Sequence, residues 1–218
     1  MNSKESFKNF CLGIAQKYEE KGWKYSKTKH WITKKDKNFT YKVCFYSSVR
    51  NISDIDVDFY GIAYIISNKN KEIMYYDSSQ NSCKTNGRLS WNIVSEDNWS
   101  DISNEFISWL EEDYMEIVDK CMNNLDVFVQ EVSESGFTKR REFSIDIFFL
   151  FNYGSLELAE KGAQRFYESL DEEIKLNFRE NYISLINGKD AVSAYGKNHM
   201  LNYSNFKTII ENKIKVKV

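Results

Sequence analysis

The chain of 218 residues contains no proline, so no helix in it is broken by a missing N–H and no strand is confined to a sheet edge on that account. Histidine is nearly absent as well: His30 and His199 are far apart, and neither stands beside a serine or cysteine in the pattern of a nucleophile and its base. No GxSxG, HExxH, phosphate-binding loop or dinucleotide fingerprint occurs, which excludes the familiar catalytic signatures. The four cysteines, Cys11, Cys44, Cys83 and Cys121, are widely spaced with no CxxC pair. That argues against a zinc knuckle or a redox centre and for reduced, buried thiols. No window approaches the roughly 18 apolar residues needed to span a bilayer. The N-terminus MNSKESFKNFCLGIAQ lacks the apolar core of a signal peptide, so the expectation is a soluble, cytoplasmic protein with no membrane partner and no cofactor. A formal net charge of −2 with a pI near 5.9 is not that of a general nucleic-acid coat, which needs a large cationic excess to displace counterions.

What the chain does have is order-promoting composition. Hydrophobic residues make up 42% and charged residues 28%, while aromatic residues reach 16%, high for a globular domain. Phe7, Phe10, Cys11, Ile14, Ala15 and Tyr18 recur at three- and four-residue spacing and predict a helix over residues 3 to 21. Asn2 and Glu5 resemble its cap, and Gly22 its stop. From Gly22 to Ser67 the period falls to two. Lys35-Asp36-Lys37-Asn38 reads as a hairpin connection, with Phe39, Tyr41, Val43 and Phe45 on one face of the following strand. The next strand is expected over Ile52 to Ser67. Ile55, Val57 and Phe59 stand opposite Asp54, Asp56 and Asp58 in it, and the run Ile62 to Ile66 suggests burial on both faces.

Further strands are expected at Glu72 to Asp77 and Leu89 to Val94, giving four or five mainly antiparallel strands. A helix from Asp101 carries Ile102, Phe106, Trp109, Leu110, Ile117, Val118 and Cys121 on one stripe, with Ser100 as its cap and a bend at Asn123-Asn124. Gly136 and the charged run Thr138 to Arg141 mark a boundary between a sheet domain, residues 1–136, and a helical annex, residues 137–218. The annex pattern is helical at Ser155 to Leu170 and Asp171 to Ile186, with a final pair split near Gly188 and Gly196. Phe143 to Phe151 is open between helix and buried strand. FFLFNYGSLELAEKGAQRFYESL has the look of a single tetratricopeptide-type hairpin, turning at Tyr153-Gly154 and packing through Ala159 and Phe166. One such unit falls short of the roughly three that a repeat array needs. The fold class is α+β.

Three constellations are candidate sites. Asp54, Asp56 and Asp58 are about 6.6 Å apart along one strand face and can be read as ligands for a divalent cation in a hydrolase acting on nucleic acid, or as a solvated edge that deters aggregation. Charge is segregated: from Lys21 to Arg50 only Asp36 opposes the basic residues, and from Glu96 to Asp119 there is no lysine or arginine. The basic hairpin, with Lys24, Lys29, Trp31, Lys34 and Lys35, mixes cations and a ring as binders of single-stranded nucleic acid do. The acidic helix, with Glu111, Glu112, Asp113 and Glu116, offers a docking surface for a basic protein. Both charged stretches also read as solvated faces that meet each other across the fold.

The helix ending in GWKYSK, the strands HWITKK and FTYKVCFYSS, the run VDFYGIAYI and the later SWNI before an acidic helix together resemble an uncharacterised bacterial domain-of-unknown-function family over about residues 5 to 135. The lysine-, asparagine- and isoleucine-rich, arginine-poor composition is that of an AT-rich genome. The resemblance implies an α+β fold and brings no active-site residue with it. Ranked on the residues, a non-catalytic protein-binding module comes first, by analogy a toxin-neutralising immunity protein with a protein partner. The metal-dependent hydrolase and the nucleic-acid binder follow as alternatives.

Overall fold

Asn2 starts the first helix by accepting the Glu5 N–H on its side chain at 3.0 Å, one of the orphan donors of a helix N-terminus. The resulting α1, Ser3–Glu19, buries the six periodic residues named above, and Gly22 leaves it at φ 83°. The structure is a computed structural model that describes residues 2–52, 55–81, 90–137, 145–190 and 203–218. It falls into two compact units, Met1–Met122 and Asn123–Val218.

In the first unit the chain after Gly22 forms β1 (Lys24–Ser26), β2 (Trp31–Lys35), β3 (Phe39–Tyr46), β4 (Asp58–Ser67) and β5 (Ile73–Ser78), paired in that order and antiparallel throughout. A short β6, Trp91–Asn92, pairs with the start of β4. The β2–β3 hairpin closes as its sequence demands: Asp36 Oδ1 accepts the N–H groups of Asn38 and Phe39, and its Oδ2 takes the Tyr41 hydroxyl. That is the self-capping for which aspartate is favoured in turns.

The strand expected from Ile52 begins only at Asp58. The N–H groups of Ile55 and Asp56 both turn back to the Ile52 carbonyl, at 3.1 and 2.9 Å, which breaks the extended alternation and leaves Ile55 67% exposed. The expected two-sided burial of β4 is likewise replaced by strict alternation along its whole length.

One face of the sheet is an aromatic core. Phe39, Tyr41, Val43 and Phe45 of β3 are buried with Phe59, Ala63 and Ile65 of β4. Phe59 lies 4.7 Å from Phe10 of α1 and 5.0 Å from Phe106 of α2, Trp99–Trp109, between ring centroids, within the range where ring pairs add to burial energy. Asn98 occupies the N-cap position of α2 and Ser100 sits inside its first turn, so Ser100 is not the cap. The helix runs on through a π-helical turn, Leu110–Met115, into α3, Glu116–Asn123. It breaks at Asn124, whose φ and ψ of −140° and 40° are not helical.

The second unit is helical among the described residues. Its first helix, α4 (Leu125–Ser135), ends at Gly136, φ 76°. Then come α5 (Ile147–Tyr153), α6 (Leu156–Glu168), α7 (Glu172–Ile186) and α8 (Ser204–Glu211). Asp146 and Ser155 cap α5 and α6 through their side chains, and Ala159 and Phe166 are buried as the hairpin pattern requires. Residues 147–151 of the ambiguous run are therefore helix; Phe143, Arg140 and Gly196 lie outside the described residues. The expected boundary at Gly136 falls at the end of α4, within the second unit. Tyr182 holds the C-terminal segment: its hydroxyl donates to the Ile214 carbonyl and accepts the Val216 N–H, at 3.1 and 3.0 Å. No helix among the described residues is long and apolar enough to cross a membrane.

The packing is tight at Gly61, where a Cβ would lie 2.4 Å from a ring carbon of Phe106. That ring is wedged against Phe45, Phe59, Trp91 and Trp109 and has nowhere to go. Gly61→Ala is expected to cost about 1–3 kcal/mol, as overpacking does. It would be read as a lower denaturant midpoint at unchanged slope; an unaltered midpoint would show that α2 is not seated on this strand.

Candidate binding face

A two-residue period sends alternate side chains to opposite faces, so the register that builds the aromatic core also fixes what stands on the other side. Thr33 pairs with Lys42, Lys42 with Tyr64 and Tyr64 with Tyr76, while Lys24 pairs with Thr33. One row across five strands therefore reads Lys24, Thr33, Lys42, Tyr64, Tyr76. At about 4.8 Å per strand it is roughly 19 Å long. The neighbouring rows are Trp31, Cys44, Ile62, Ser78 on one side and Lys35, Thr40, Ile66, Ile73 on the other, with the pair Tyr46 and Tyr60 beyond. Apart from the buried Cys44 and Ser78, these side chains are half-buried or exposed, Tyr76 at 45%, Tyr46 at 37% and Ile73 at 55%. Scattered apolar exposure is ordinary, but a contiguous patch of rings and branched side chains on one face is a signal.

The rings and cations of this face hold each other. The Lys42 ammonium sits 3.4 Å from the centre of the Trp31 ring and the Lys29 ammonium 4.9 Å from it, inside the distance at which a ring quadrupole attracts a cation. Tyr46 stacks on Tyr60 with centroids 5.3 Å apart and planes 17° from parallel, and Tyr64 meets Tyr76 at 5.6 Å. Burial, with the Tyr64 hydroxyl beside it, pushes the Tyr46 phenol above its usual range, and burial does the same for Tyr64. Burial also raises the Cys44 thiol. All three groups therefore stay neutral at physiological pH, and the lysines set the charge of the face.

The core side fixes this arrangement from behind. The hydroxyl of Tyr114, carried on the π-helical turn and fully buried, accepts the Lys42 N–H at 3.0 Å and donates to the Tyr64 carbonyl at 2.7 Å. It grips the backbone of the two residues that join the basic half of the central row to its aromatic half. π-Turns inside helices recur at functional sites; here the turn aims a hydroxyl at the sheet.

The residues singled out from the sequence are distributed unevenly over this geometry. Lys24, Trp31 and Lys35 stand on the outer face, and Lys29 reaches it from the β1–β2 turn. Lys34 has the opposite parity, pairs with the buried Tyr41 position and donates to the Lys21 carbonyl at 2.9 Å. Of the carboxylate row, Asp54 lies outside the described residues, Asp56 belongs to the bridged turn, and Asp58 opens β4 with its Oδ1 accepting the Ser90 hydroxyl at 2.8 Å. Among the described residues no three His, Cys, Asp or Glu side chains cluster as metal ligands. On the acidic helix, Glu111 pairs with Lys21 at 2.7 Å, Glu112 accepts the Ser108 hydroxyl and Glu116 pairs with Lys120; Asp113 sits half-buried in the π-turn between them.

His30 is on the β1–β2 turn with φ 50°, its ring edge-on to Phe7. His199 and Cys83 lie outside the described residues. Sequence reading missed Lys42, Tyr46, Tyr60, Tyr64 and Tyr76. The available signal was the parity of Lys42 with Thr40 and Cys44, opposite to the apolar face of β3. Comparison of the chain with protein-family models, with curated proteins and with solved structures finds no match.

Removing the Tyr114 hydroxyl takes away two bonds, the one it accepts from the Lys42 N–H and the one it donates to the Tyr64 carbonyl. Tyr114→Phe is expected to cost about 1–3 kcal/mol and to speed amide hydrogen exchange at Lys42. Unchanged exchange at Lys42 would show that the hydroxyl does not hold that strand pair.

Proposed function

We propose that the protein is a binding module whose ligand lies on the outer face of the first unit's sheet, with anionic groups over β1 to β3 and flat or apolar groups over β4 and β5. One observation carries this reading: the row Lys24, Thr33, Lys42, Tyr64, Tyr76, in which cations and rings are sorted to opposite ends of a single line. Described residues on the face bring one carboxylate, Asp58, at its edge, where Ser90 engages it.

The competing reading, a basic protein docked on the acidic helix in the manner of a toxin antidote, has less behind it. Glu111 and Glu116 are paired with Lys21 and Lys120, which offsets part of the acidic charge of this helix, and Glu112 accepts the Ser108 hydroxyl. Metal-dependent hydrolysis lacks a ligand set among the described residues, where no three His, Cys, Asp or Glu side chains cluster as metal ligands.

The test uses a polyanionic matrix. The wild-type protein, despite its net charge of −2, is expected to be retained on heparin–agarose at low salt. A Lys24→Glu, Lys35→Glu, Lys42→Glu variant should elute earlier. The same charge change on α1, through Lys4→Glu, Lys8→Glu and Lys17→Glu, should have a much smaller effect, because α1 packs on the other face. Circular dichroism melts of both variants guard against unfolding. Passage of the wild type straight through the column, or equal loss in both variants, defeats the proposal.

A further inference from the structure

Resting on the binding-module reading above, we infer that the ligand of this face is single-stranded nucleic acid, with its phosphates on Lys24, Lys35 and Lys42 and its bases on Tyr64 and Tyr76. The argument is one of chemical fit. A ligand that satisfies the face must be anionic at regular intervals and must also carry flat rings that are free to stack. A sulfated polysaccharide supplies the anions and leaves the tyrosines half-exposed. A duplex supplies anions too, but its bases are stacked on one another and offer no open ring face. An unpaired strand supplies both, since its backbone tracks a basic groove while successive bases lie on aromatic side chains.

The details of the face agree with this division of labour. Trp31 is occupied: its ring carries the Lys42 ammonium at 3.4 Å, so it positions a phosphate-binding cation and is not itself a stacking platform. Tyr76 is 45% exposed and its ring neighbour is Tyr64, 5.6 Å away and tilted by 50°, leaving ring surface open to solvent. The Tyr64 carbonyl is held by Tyr114, which fixes the strand that carries this ring. Asp58, at the far end of β4, puts a carboxylate where a phosphate would be repelled and so ends the track.

The experiment is fluorescence anisotropy of the full chain with short labelled oligothymidine, oligouridine and a duplex of equal length, each titrated over a series of salt concentrations. Single strands are expected to bind at least tenfold more tightly than duplex. The slope of log affinity against log salt should be about −2, since three neutralised phosphates contribute roughly 0.7 each on a single strand. The thymidine and uridine arms decide between DNA and RNA, and a preference for either supports the inference. Tyr64→Leu and Tyr76→Leu keep apolar bulk but remove the ring; each is expected to weaken single-strand binding about tenfold with the salt slope unchanged, at the stacking strength found for such sites. Lys42→Gln should instead flatten the slope.

Equal affinity for duplex and single strand overturns the inference, as does undiminished binding by both leucine variants when their melting temperatures match the wild type. Either result leaves the wider polyanion reading standing if heparin retention still depends on the three lysines. Absence of both heparin and oligonucleotide binding removes the two together and points to a protein ligand.

Discussion

The register of β3 against β4 is the constraint on which the first unit depends. Eight residue pairs run from Phe39 opposite Ser67 to Tyr46 opposite Tyr60, and because side chains alternate, a slip of one position would exchange every one of them between faces. In the observed register Phe45 and Phe59 go to the core, where α1 and α2 cover them. Lys42, Tyr46, Tyr60 and Tyr64 go outward as the necessary complement. The outer face is therefore a consequence of how the core packs. Any selection for its lysines and tyrosines acts on positions whose direction the core has already set.

Two close contacts lock this register from the helical side. Gly61 lets the Phe106 ring rest directly on the backbone of β4, a contact any side chain there would prevent. Four residues beyond Phe106 the helix widens into its π-turn, Leu110–Met115, and delivers Tyr114 to the Lys42–Tyr64 pair. A buried hydroxyl that both donates and accepts is satisfied, and it costs the sheet its freedom to shift at that point. Rigidity of this kind suits a surface that recognises a ligand by the spacing of its groups, because little ordering remains to be done on binding.

Charge that is segregated along the sequence is partly recombined in the folded unit. The basic stretch meets the acidic one where Lys21 pairs with Glu111, and Lys34 turns toward the Lys21 carbonyl. What is left over, on Lys24, Lys29, Lys35 and Lys42, is concentrated on one sheet face. A near-neutral overall charge is compatible with a locally basic surface for this reason, and the exclusion drawn from pI applies only to indiscriminate coating of nucleic acid.

Much of the fold was legible in local pattern. The period of α1, the Asp36 turn, the apolar face of β3, the bend at Asn123-Asn124 and the α5–α6 hairpin each depend on residues within one or two turns or strands of one another, and the α+β class follows from them. The errors arose where local pattern was ambiguous. Ile62, Tyr64 and Ile66 read as a second buried face because hydrophobicity alone does not distinguish a core from a half-exposed outer face, and Ile55 read as strand because its turn is closed by backbone bonds that any sequence can make.

The sequence by itself determined which residues alternate and therefore which must share a face. Only the tertiary structure decided which face was covered, through contacts between residues as far apart as Lys42 and Tyr114. Neither burial nor exposure is a property of a strand alone; each is conferred by the helices that choose a side.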